Sequence, residues 1–412
     1  MNQKIWGILL IFICPVFLFS QAKNLDYFLN NAISNSPLLN EYRNNILTAG
    51  IDSELITAAN RYQVTGNGNA YYAPIVKGYG YDKAITNGQQ LSALIALNKQ
   101  IYNKRNLSLQ FADLQLQKDS IKITSAISTQ DLKKNIVGQY ILVYSDQLQM
   151  DFNKELSTLL NRQESILKIL TQKNVYRQTD YLSFLITVQQ QNLTRNQLEA
   201  QYKSDFSTLN YLAGIFDTTT SKVAEPDLFA VKNFITDSSA FFLKYKLDSL
   251  RLTNTKALID LGYKPKVSLF ADAGYQSSFE ISPYKNFGTS FGINFSIPIY
   301  DGKQKKLQYQ KISIMERTRQ RNRDFFKSQY YQQIAQLRQQ LAATEALGEP
   351  INIQIKYLET LIEANGKLLE TGDIKMTDYI LALNNYITAK NLLVQNMINR
   401  YQIINQLNYW NK

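Results

Sequence analysis

Two aspartates, Asp180 and Asp378, are the side chains whose repeated setting most suggests a role based on charge. Each is the middle residue of a Thr-Asp-Tyr triplet, and the triplets at 179–181 and 377–379 are 198 residues apart. The chain has no His and a single Cys, Cys14, which excludes Ser-His-Asp or Cys-His catalysis and His-ligated metal sites. Any metal site would need oxygen ligands alone. We therefore expect neither an enzyme nor a metal or cofactor centre.

The N-terminus has the pattern of a secretory signal peptide over residues 1–20. Lys4 precedes an apolar run from Ile5 to Phe19, and Ser20 is a small residue suited to cleavage after it. At about 15 residues the run is short for a spanning helix, and no later stretch reaches about 18 apolar residues. Cys14 lies inside the run, and its neighbours do not favour lipidation. We expect an exported protein without disulfides.

The chain is strongly basic, with 45 Lys and Arg against 33 Asp and Glu, a net charge of +12 and a pI near 9.3. Much of this charge lies in one run, which favours a solvated helix face, with contact to anionic lipid head groups as the alternative. The run comprises Lys303, Lys305, Lys306, Lys311, Arg317, Arg319, Arg321 and Arg323. Nucleic-acid binding is not expected of an exported chain.

Short matches that recur at one offset indicate a duplicated unit of 198 residues. The pairs are Ile101-Tyr102 with Ile299-Tyr300, Thr179-Asp180-Tyr181 with Thr377-Asp378-Tyr379, and Leu209-Asn210-Tyr211 with Leu407-Asn408-Tyr409. We predict a first repeat at 21–214, a linker or equatorial segment at 215–237 and a second repeat at 238–412. Each repeat is predicted to contain a helix, two strands, a long helix and a returning helix.

Each repeat contains strand-like runs in which apolar residues alternate with small or polar ones, as in Thr289 to Asp301. The residues predicted to face lipid are Phe291, Ile293, Phe295, Ile297, Ile95 and Leu97. Runs of about ten residues suit a tilted transmembrane strand, although a sandwich with one wet face is the alternative. Aromatic residues at the ends of the runs resemble membrane girdles and favour the first interpretation. They are Tyr71, Tyr72, Tyr79, Tyr81, Tyr275, Phe279 and Tyr284 at one end, and Tyr102 and Tyr300 at the other.

The predicted helices are longer than those of ordinary globular domains. Residues 104–170 contain no Pro and one Gly, and at 1.5 Å per residue they would extend roughly 100 Å. The corresponding helix at 303–370 contains Gly348 and Pro350, where we expect a kink or a break. Shorter helices are predicted over 37–60, 180–213, 238–261 and 378–409.

Four amphipathic strands cannot be stable in a membrane by themselves, because the edges of their sheet would lack hydrogen-bond partners. The strands must then be shared between subunits. This argument predicts a closed homo-oligomer with a composite barrel.

The whole mature chain resembles the TolC family of outer-membrane efflux and secretion channels. Four stretches carry the resemblance in their order along the chain. They are Asn24-Leu25-Asp26-Tyr27 through Ser36-Pro37, Leu209-Asn210-Tyr211-Leu212-Ala213-Gly214, Ser290 through Pro298-Ile299-Tyr300-Asp301-Gly302, and Thr371-Gly372 through Thr377-Asp378-Tyr379-Ile380.

The resemblance implies a mainly α fold with a small β part. A long antiparallel α-helical barrel would carry four transmembrane strands per subunit, completed as a 12-stranded barrel in a homotrimer. It implies a passive export conduit in the outer membrane of a Gram-negative bacterium, spanning into the periplasm and serving a tripartite efflux or type I secretion system. The implied partners are a periplasmic adaptor (membrane fusion protein), an inner-membrane transporter and outer-membrane lipid. The alternative is an exported periplasmic coiled-coil adaptor or scaffold, which would not need amphipathic strands.

The resemblance also implies a periplasmic tip that docks the adaptor, formed by Asn174, Tyr176, Arg177, Gly372, Ile374 and Lys375. An ordinary solvated turn is the alternative. Asn174 and Gly372 tolerate positive φ and suit tight turns between helices.

Asp378 matches the family's acidic residue at the constricted pore entrance. Asp180, its copy in the first repeat, lies at the same entrance and matches a residue that ties neighbouring helices shut. The alternative is a first-turn acid after a capping Thr, which the helix dipole stabilises by roughly 0.3–1 kcal/mol. Two positions depart from the family: Leu381 replaces a second acid at the entrance, and Ile374 replaces the basic partner of Asp180. The tie must therefore differ from the family's, and Lys375 and Arg177 are the candidate partners.

Overall fold

The computed structural model describes residues 22–82, 89–101, 104–231, 239–278 and 283–411. The predicted signal peptide and the girdle residues Tyr102 and Phe279 lie outside them. Within them the elements are α1 (Leu25–Asn35), α2 (Pro37–Ala59), β1 (Gln63–Tyr72), β2 (Gln89–Ile101), α3 (Lys104–Gln172), α4 (Gln178–Leu212), α5 (Ala240–Gly262), β3 (Lys266–Ser277), a 3-10 turn (Pro283–Lys285), β4 (Phe287–Ser296), α6 (Gln304–Thr371) and α7 (Met376–Trp410).

The elements form two compact units, and the long helices α3 and α6 contribute to both. The first unit contains residues up to Ser36, Gln130–Asn233 and Gln333–Asn411, and the second contains Pro37–Thr129 and Phe234–Gln332. Each unit therefore takes segments from both predicted repeats, 21–214 and 238–412.

Three apolar cores lie in the described part of the first unit, and two of them are large. In one, the ring of Phe28 on α1 packs edge-on against Tyr140 (centroids 5.8 Å apart) and Phe206 (6.1 Å), and all three rings are buried. The other core includes the buried residues Leu160, Leu167, Phe184, Tyr379 and Leu383. Phe184 and Tyr379 lie on α4 and α7, so this core joins the two returning helices.

Residues 215–231, part of the predicted linker, contain no helix or strand of their own, yet side chains of the first unit hold them firmly. The bonds run from Tyr140 to the carbonyl of Ala224 (2.6 Å), from Tyr202 to that of Ser221 (2.6 Å), between Gln147 and both backbone groups of Val223 (2.8 and 3.1 Å), and from Tyr401 to the carboxylate of Glu225 (2.7 Å). The segment is thus part of the folded unit.

A carboxyl pair lies inside the same unit, formed by Asp146 on α3 and Asp205 on α4. Asp146 is 8 % exposed. The two carboxylate oxygens of Asp205 accept hydrogen bonds from the amides of Gln139 (3.1 Å) and Gln201 (2.6 Å). Burial raises the pKa of Asp146 to about 7, aided by its hydrogen bond to Asp205 and the charge of that group. Burial and the neighbouring carboxylate therefore both favour the neutral form of Asp146.

The second unit contains one antiparallel sheet with strand order β1-β2-β3-β4. The register pairs Phe291 with Ala271 and Ala271 with Leu97, and residues paired directly share a face. Ile95, Leu97, Phe291, Ile293 and Phe295 therefore lie on one face, as their alternation predicts. The opposite face carries polar groups, including Ser290, whose hydroxyl donates to Asp272 (2.7 Å).

The local structure differs from the expectations at two places. The strand predicted to run to Asp301 ends at Ser296, so Ile297 lies beyond β4. Pro298 has no N–H to donate to a neighbouring strand, which explains the early end of the ladder. Of the kink or break expected near Pro350, the break is absent, since α6 continues through the proline. A single missing hydrogen bond is offset by packing just after the proline, where Ile351 and Ile355 are both 5 % exposed.

Candidate functional site

Each long helix of the first unit ends in the same kind of turn. After α3, the N–H of Val175 donates to the carbonyl of Leu170 (2.9 Å), and after α6, that of Asp373 donates to Leu368 (2.9 Å). The residues before them, Asn174 and Gly372, have φ of 60° and 82°. These are the bonds and the left-handed residue of a Schellman C-cap, which reverses the chain within a few residues.

The two turns touch each other and form one structure, which we call the paired turns (residues 173–177 and 372–375). The hydroxyl of Tyr176 donates to the carbonyl of Ile374 (3.0 Å). A Cβ added to Gly372 would lie 2.6 Å from Cγ1 of Val175, so this glycine leaves room for the neighbouring turn. The bond and the close approach fix the turns against each other.

The predicted docking residues divide into exposed and buried groups. Asn174, Arg177 and Lys375 are exposed, and Gly372 and Ile374 are partly exposed. Tyr176 differs from the prediction, because its side chain is only 8 % exposed and packs in the core with α4 and α7. Its ring holds the paired turns together and is not displayed to a partner.

Asp180 and Asp378 occupy the first turns of α4 and α7, but the capping threonines were predicted wrongly. The helices begin one residue before Thr179 and Thr377, with Arg177 and Lys375 at the N-cap positions. The carboxylate of Asp180 accepts the backbone N–H of Arg177 (3.2 Å), which is half of a capping box. Arg177 cannot complete the box, since its side chain has no acceptor.

The two aspartates differ in their surroundings. Asp180 is half-buried and Asp378 is exposed. Among the described residues, neither carboxylate has an Arg or Lys nitrogen within 4.0 Å, so Arg177 and Lys375 do not pair with Asp180 inside one chain. Burial raises the pKa of the Tyr176 hydroxyl, and the negative charge of Asp180 adds to the rise. Asp180 and Asp378 thus lie just after the paired turns, near the exposed cations but without an ion pair to them among the described residues.

The sequence did not reveal the structural roles of two tyrosines in this region, Tyr176 and Tyr379. Tyr176 and Ile374 are 198 residues apart, so the hydrogen bond joins matching positions of the predicted repeats. The offset was visible, but only the structure brings the positions together. Tyr379 is fully buried, and burial raises its pKa to about 12.

Other features of the described residues bear on the class of site. No group of three or more acidic, His or Cys side chains within them is arranged to hold a metal ion. None of their helices combines the length and apolar character needed to cross a membrane.

Comparison with known proteins identifies the fold. Neither a protein-family model nor a curated protein sequence matches the chain. The structure is similar to that of the outer membrane protein VceC from Vibrio cholerae, with a TM-score of 0.75 and 12% identity over 94% of this chain and 96% of that one. It is also similar to the Campylobacter jejuni CmeC outer membrane channel (TM-score 0.72, 12% identity, 94% and 85% covered). The open state of the Neisseria gonorrhoeae MtrE outer membrane channel is similar as well, with a TM-score of 0.73 and 8% identity over 94% of this chain and 88% of that one. At such identities the likeness concerns the fold, and the fold of this chain is TolC-like.

Proposed function

We propose that this protein is an outer-membrane channel that exports substrates passively from the periplasm as part of a tripartite efflux or type I secretion system. In this proposal three copies assemble, and an adaptor and an inner-membrane transporter supply the energy and the substrate. The TolC-like fold supports the proposal, since it is shared with outer membrane channels such as VceC, CmeC and MtrE.

The observation that carries the proposal is the sheet of the second unit. Among the described strands, β1 and β4 each pair on one side only, which leaves two edges of unpaired N–H and C=O groups. One face is apolar and exposed, with Phe291 at 89% and Ile293 at 69% exposure. Edges without partners are not tolerated in lipid, and joining four strands from each of three copies would remove them. The apolar face would then contact lipid, and the polar face with Asp272 would line the lumen.

We assign the paired turns to the periplasmic entrance. Asp180 and Asp378 would give rings of carboxylates in a trimer, which attract cations and repel one another. Asn174, Arg177 and Lys375 are the exposed side chains that an adaptor could contact. Tyr176, Gly372 and Ile374 would set the geometry of that surface.

A periplasmic coiled-coil adaptor or scaffold is the second candidate. This function would explain the long helices of the protein as well as the channel does. It would leave the apolar face of β4 in water, where Phe291, Ile293 and Phe295 would be an aggregation hazard. The sheet therefore favours the channel.

Conductance of the purified protein in planar bilayers tests the proposal. We expect a detergent-dependent trimer from the outer-membrane fraction that forms cation-selective channels. The variant Asp378→Asn should lower cation selectivity and weaken block by divalent cations added on the periplasmic side. Asp227→Asn, an exposed carboxylate in the segment 215–231, is the matched control and should leave both unchanged.

Two outcomes would contradict the proposal, one as a whole and the other in its assignment of Asp378. A stable monomer in buffer without detergent would rule out the shared barrel. If the Asp378→Asn and Asp227→Asn proteins form channels with the same selectivity and cation block, the protein is still a channel, but Asp378 does not lie at its entrance.

A further inference from the structure

A pocket of about 630 Å³ lies just beyond the end of β4, in the second unit. It is within the usual range for small-ligand sites. Its walls come from the end of α5, the connection after β4 and the first turns of α6. They include Pro298, Ile299, Tyr263, Tyr300, Tyr309 and the lysines Lys303, Lys305 and Lys306.

Hydrogen bonds already engage part of the pocket's charge. Lys305 forms an ion pair with Asp260 (2.8 Å), and the Tyr309 hydroxyl donates to the same carboxylate. Asp301 accepts the backbone N–H groups of Lys303 (2.9 Å) and Lys305 (2.8 Å) and so caps α6. The acidic groups of the pocket therefore have partners within the chain.

Two cations of the pocket, Lys303 and Lys306, lack an acidic partner in the part of the chain that the structure describes. Among the described residues, the ammonium groups of Lys303 and Lys306 have no carboxylate within 4.0 Å, and both side chains are exposed. The charge that remains available is positive, and it is held in lysines, which bind phosphate groups as point charges.

The backbone at Lys303 is unusual. Its φ is 70°, next to Gly302 at 62°, and a non-glycine residue in this left-handed region is uncommon. Such conformations are costly and cluster at ligand sites. Glycine or asparagine would adopt this conformation with less strain, yet a lysine occupies the position and lies in the wall of the pocket, just before α6.

Exposed apolar residues of the pocket follow β4 directly along the chain. Ile299 is 95% exposed and Tyr300 is 85% exposed, and both follow β4, whose Phe295 is 66% exposed. Exposed aromatic rings and lysines that begin where an apolar face ends are typical of the level of lipid head groups. A free anion would need the lysines but not the exposed apolar residues beside them.

We propose that this pocket binds the phosphodiester head group of an anionic phospholipid of the inner leaflet, with Lys303 and Lys306 contacting the phosphate and Ile299 and Tyr300 contacting the start of the acyl chains. The inference rests on the proposed function, since it requires the sheet to lie in the outer membrane. It assigns a role to the start of the basic run, whose later members lie outside the pocket.

Lipid binding to the detergent-purified protein, measured by native mass spectrometry with phosphatidylglycerol or phosphatidylcholine, tests the proposal. We expect preference for phosphatidylglycerol, and Lys303→Gln/Lys306→Gln should weaken its binding about tenfold with no effect on phosphatidylcholine. Lys311→Gln/Arg317→Gln removes the same charge from later positions of α6, outside the pocket, and should retain the preference. Lys303→Gly, which suits the positive φ, separates loss of the ammonium group from any distortion of the turn, and it should weaken binding as well.

Three results would overturn the inference. The control pair could lose as much phosphatidylglycerol as the pocket pair, which would indicate bulk charge. Inorganic phosphate could displace the lipid fully, which would indicate a site for free phosphate. The pocket pair could dissociate the oligomer without altering lipid binding, which would indicate that a second copy covers the pocket. Membrane fractionation of the same variants tests the proposed function separately, because a channel can insert normally without lipid selectivity.

Discussion

Replacing Asp146 by Asn should stabilise the protein, and only at neutral and alkaline pH. The folded protein raises the pKa of Asp146 to about 7 from an ordinary value of 3.8. Folding therefore favours the protonated carboxyl, and its ionisation costs stability as pH rises between these values. The difference corresponds to a penalty of about 4 kcal/mol at pH 8 and less than about 1 kcal/mol at pH 4. Asn keeps the shape and is neutral at every pH, so it removes the penalty.

Unfolding midpoints of both proteins in detergent at pH 4 and pH 8, followed by circular dichroism, measure the effect. The variant should unfold at a higher temperature or denaturant concentration at pH 8, and at nearly the same point at pH 4. Asp151→Asn is the control on the same helix, because Asp151 is half exposed and pairs with Lys222 (3.3 Å). It should change stability by less than about 1 kcal/mol at pH 8. Equal shifts of the Asp146 variant at both pH values would refute the buried-pair explanation.

Further substitutions test the sheet and the paired turns. Phe295→Asp should block membrane insertion, since a charge on the lipid face costs about 2–4 kcal/mol at mid-bilayer depth, whereas Asn294→Asp on the other face should insert normally in the same fractionation assay. Gly372→Ala should lower thermal stability by about 1 kcal/mol or more, because φ is 82° there. Gly348→Ala lies inside α6 with space around it and should raise stability by about 0.5–1 kcal/mol. Tyr176→Phe should cost about 1 kcal/mol in the same thermal scans by removing the bond between the turns, and an unchanged midpoint would show that the bond is dispensable.

The alternation of side chains was sufficient to predict the sheet faces. Phe291, Ile293 and Phe295 repeat every second residue, and this period admits one structure in which they share a side. Ile297 keeps the period but lies outside β4, because a pattern of side chains contains no information on where backbone pairing stops. The proline after it does contain that information, and it is the better guide to the end of the strand.

The paired turns were harder to predict. Asn174 and Gly372 indicated left-handed positions because few residues tolerate them, and both have positive φ. The N-caps were misplaced because Thr179 and Thr377 are good cap residues by type, while Arg177 and Lys375 occupy the cap positions without a side-chain acceptor. The preference of Thr for the N-cap position was overridden, because the Schellman turns fix the residue at which the next helix begins.

Long-range hydrogen bonds left no trace in the sequence. Tyr140 and Tyr202 look like ordinary apolar helix residues, and nothing near them indicates that their hydroxyls hold residues 221–224. Asp146 gave no signal either, since its partner Asp205 lies on another helix.

The tethering of the segment 215–231 has a consequence for how the protein tolerates mutation. Tyr140, Tyr202 and Gln147 bind its backbone atoms, which nearly every amino acid supplies, whereas only Glu225 and Lys222 among the contacts named above take part through their side chains, so most of the specificity resides in the helices. In a saturation mutagenesis screen, exposed positions of the segment other than Asp217, Lys222 and Glu225 should accept most residues apart from proline, whereas the two tyrosines should accept almost none. The segment can therefore diverge in sequence, or receive an epitope tag at an exposed position, while its path over the protein is preserved.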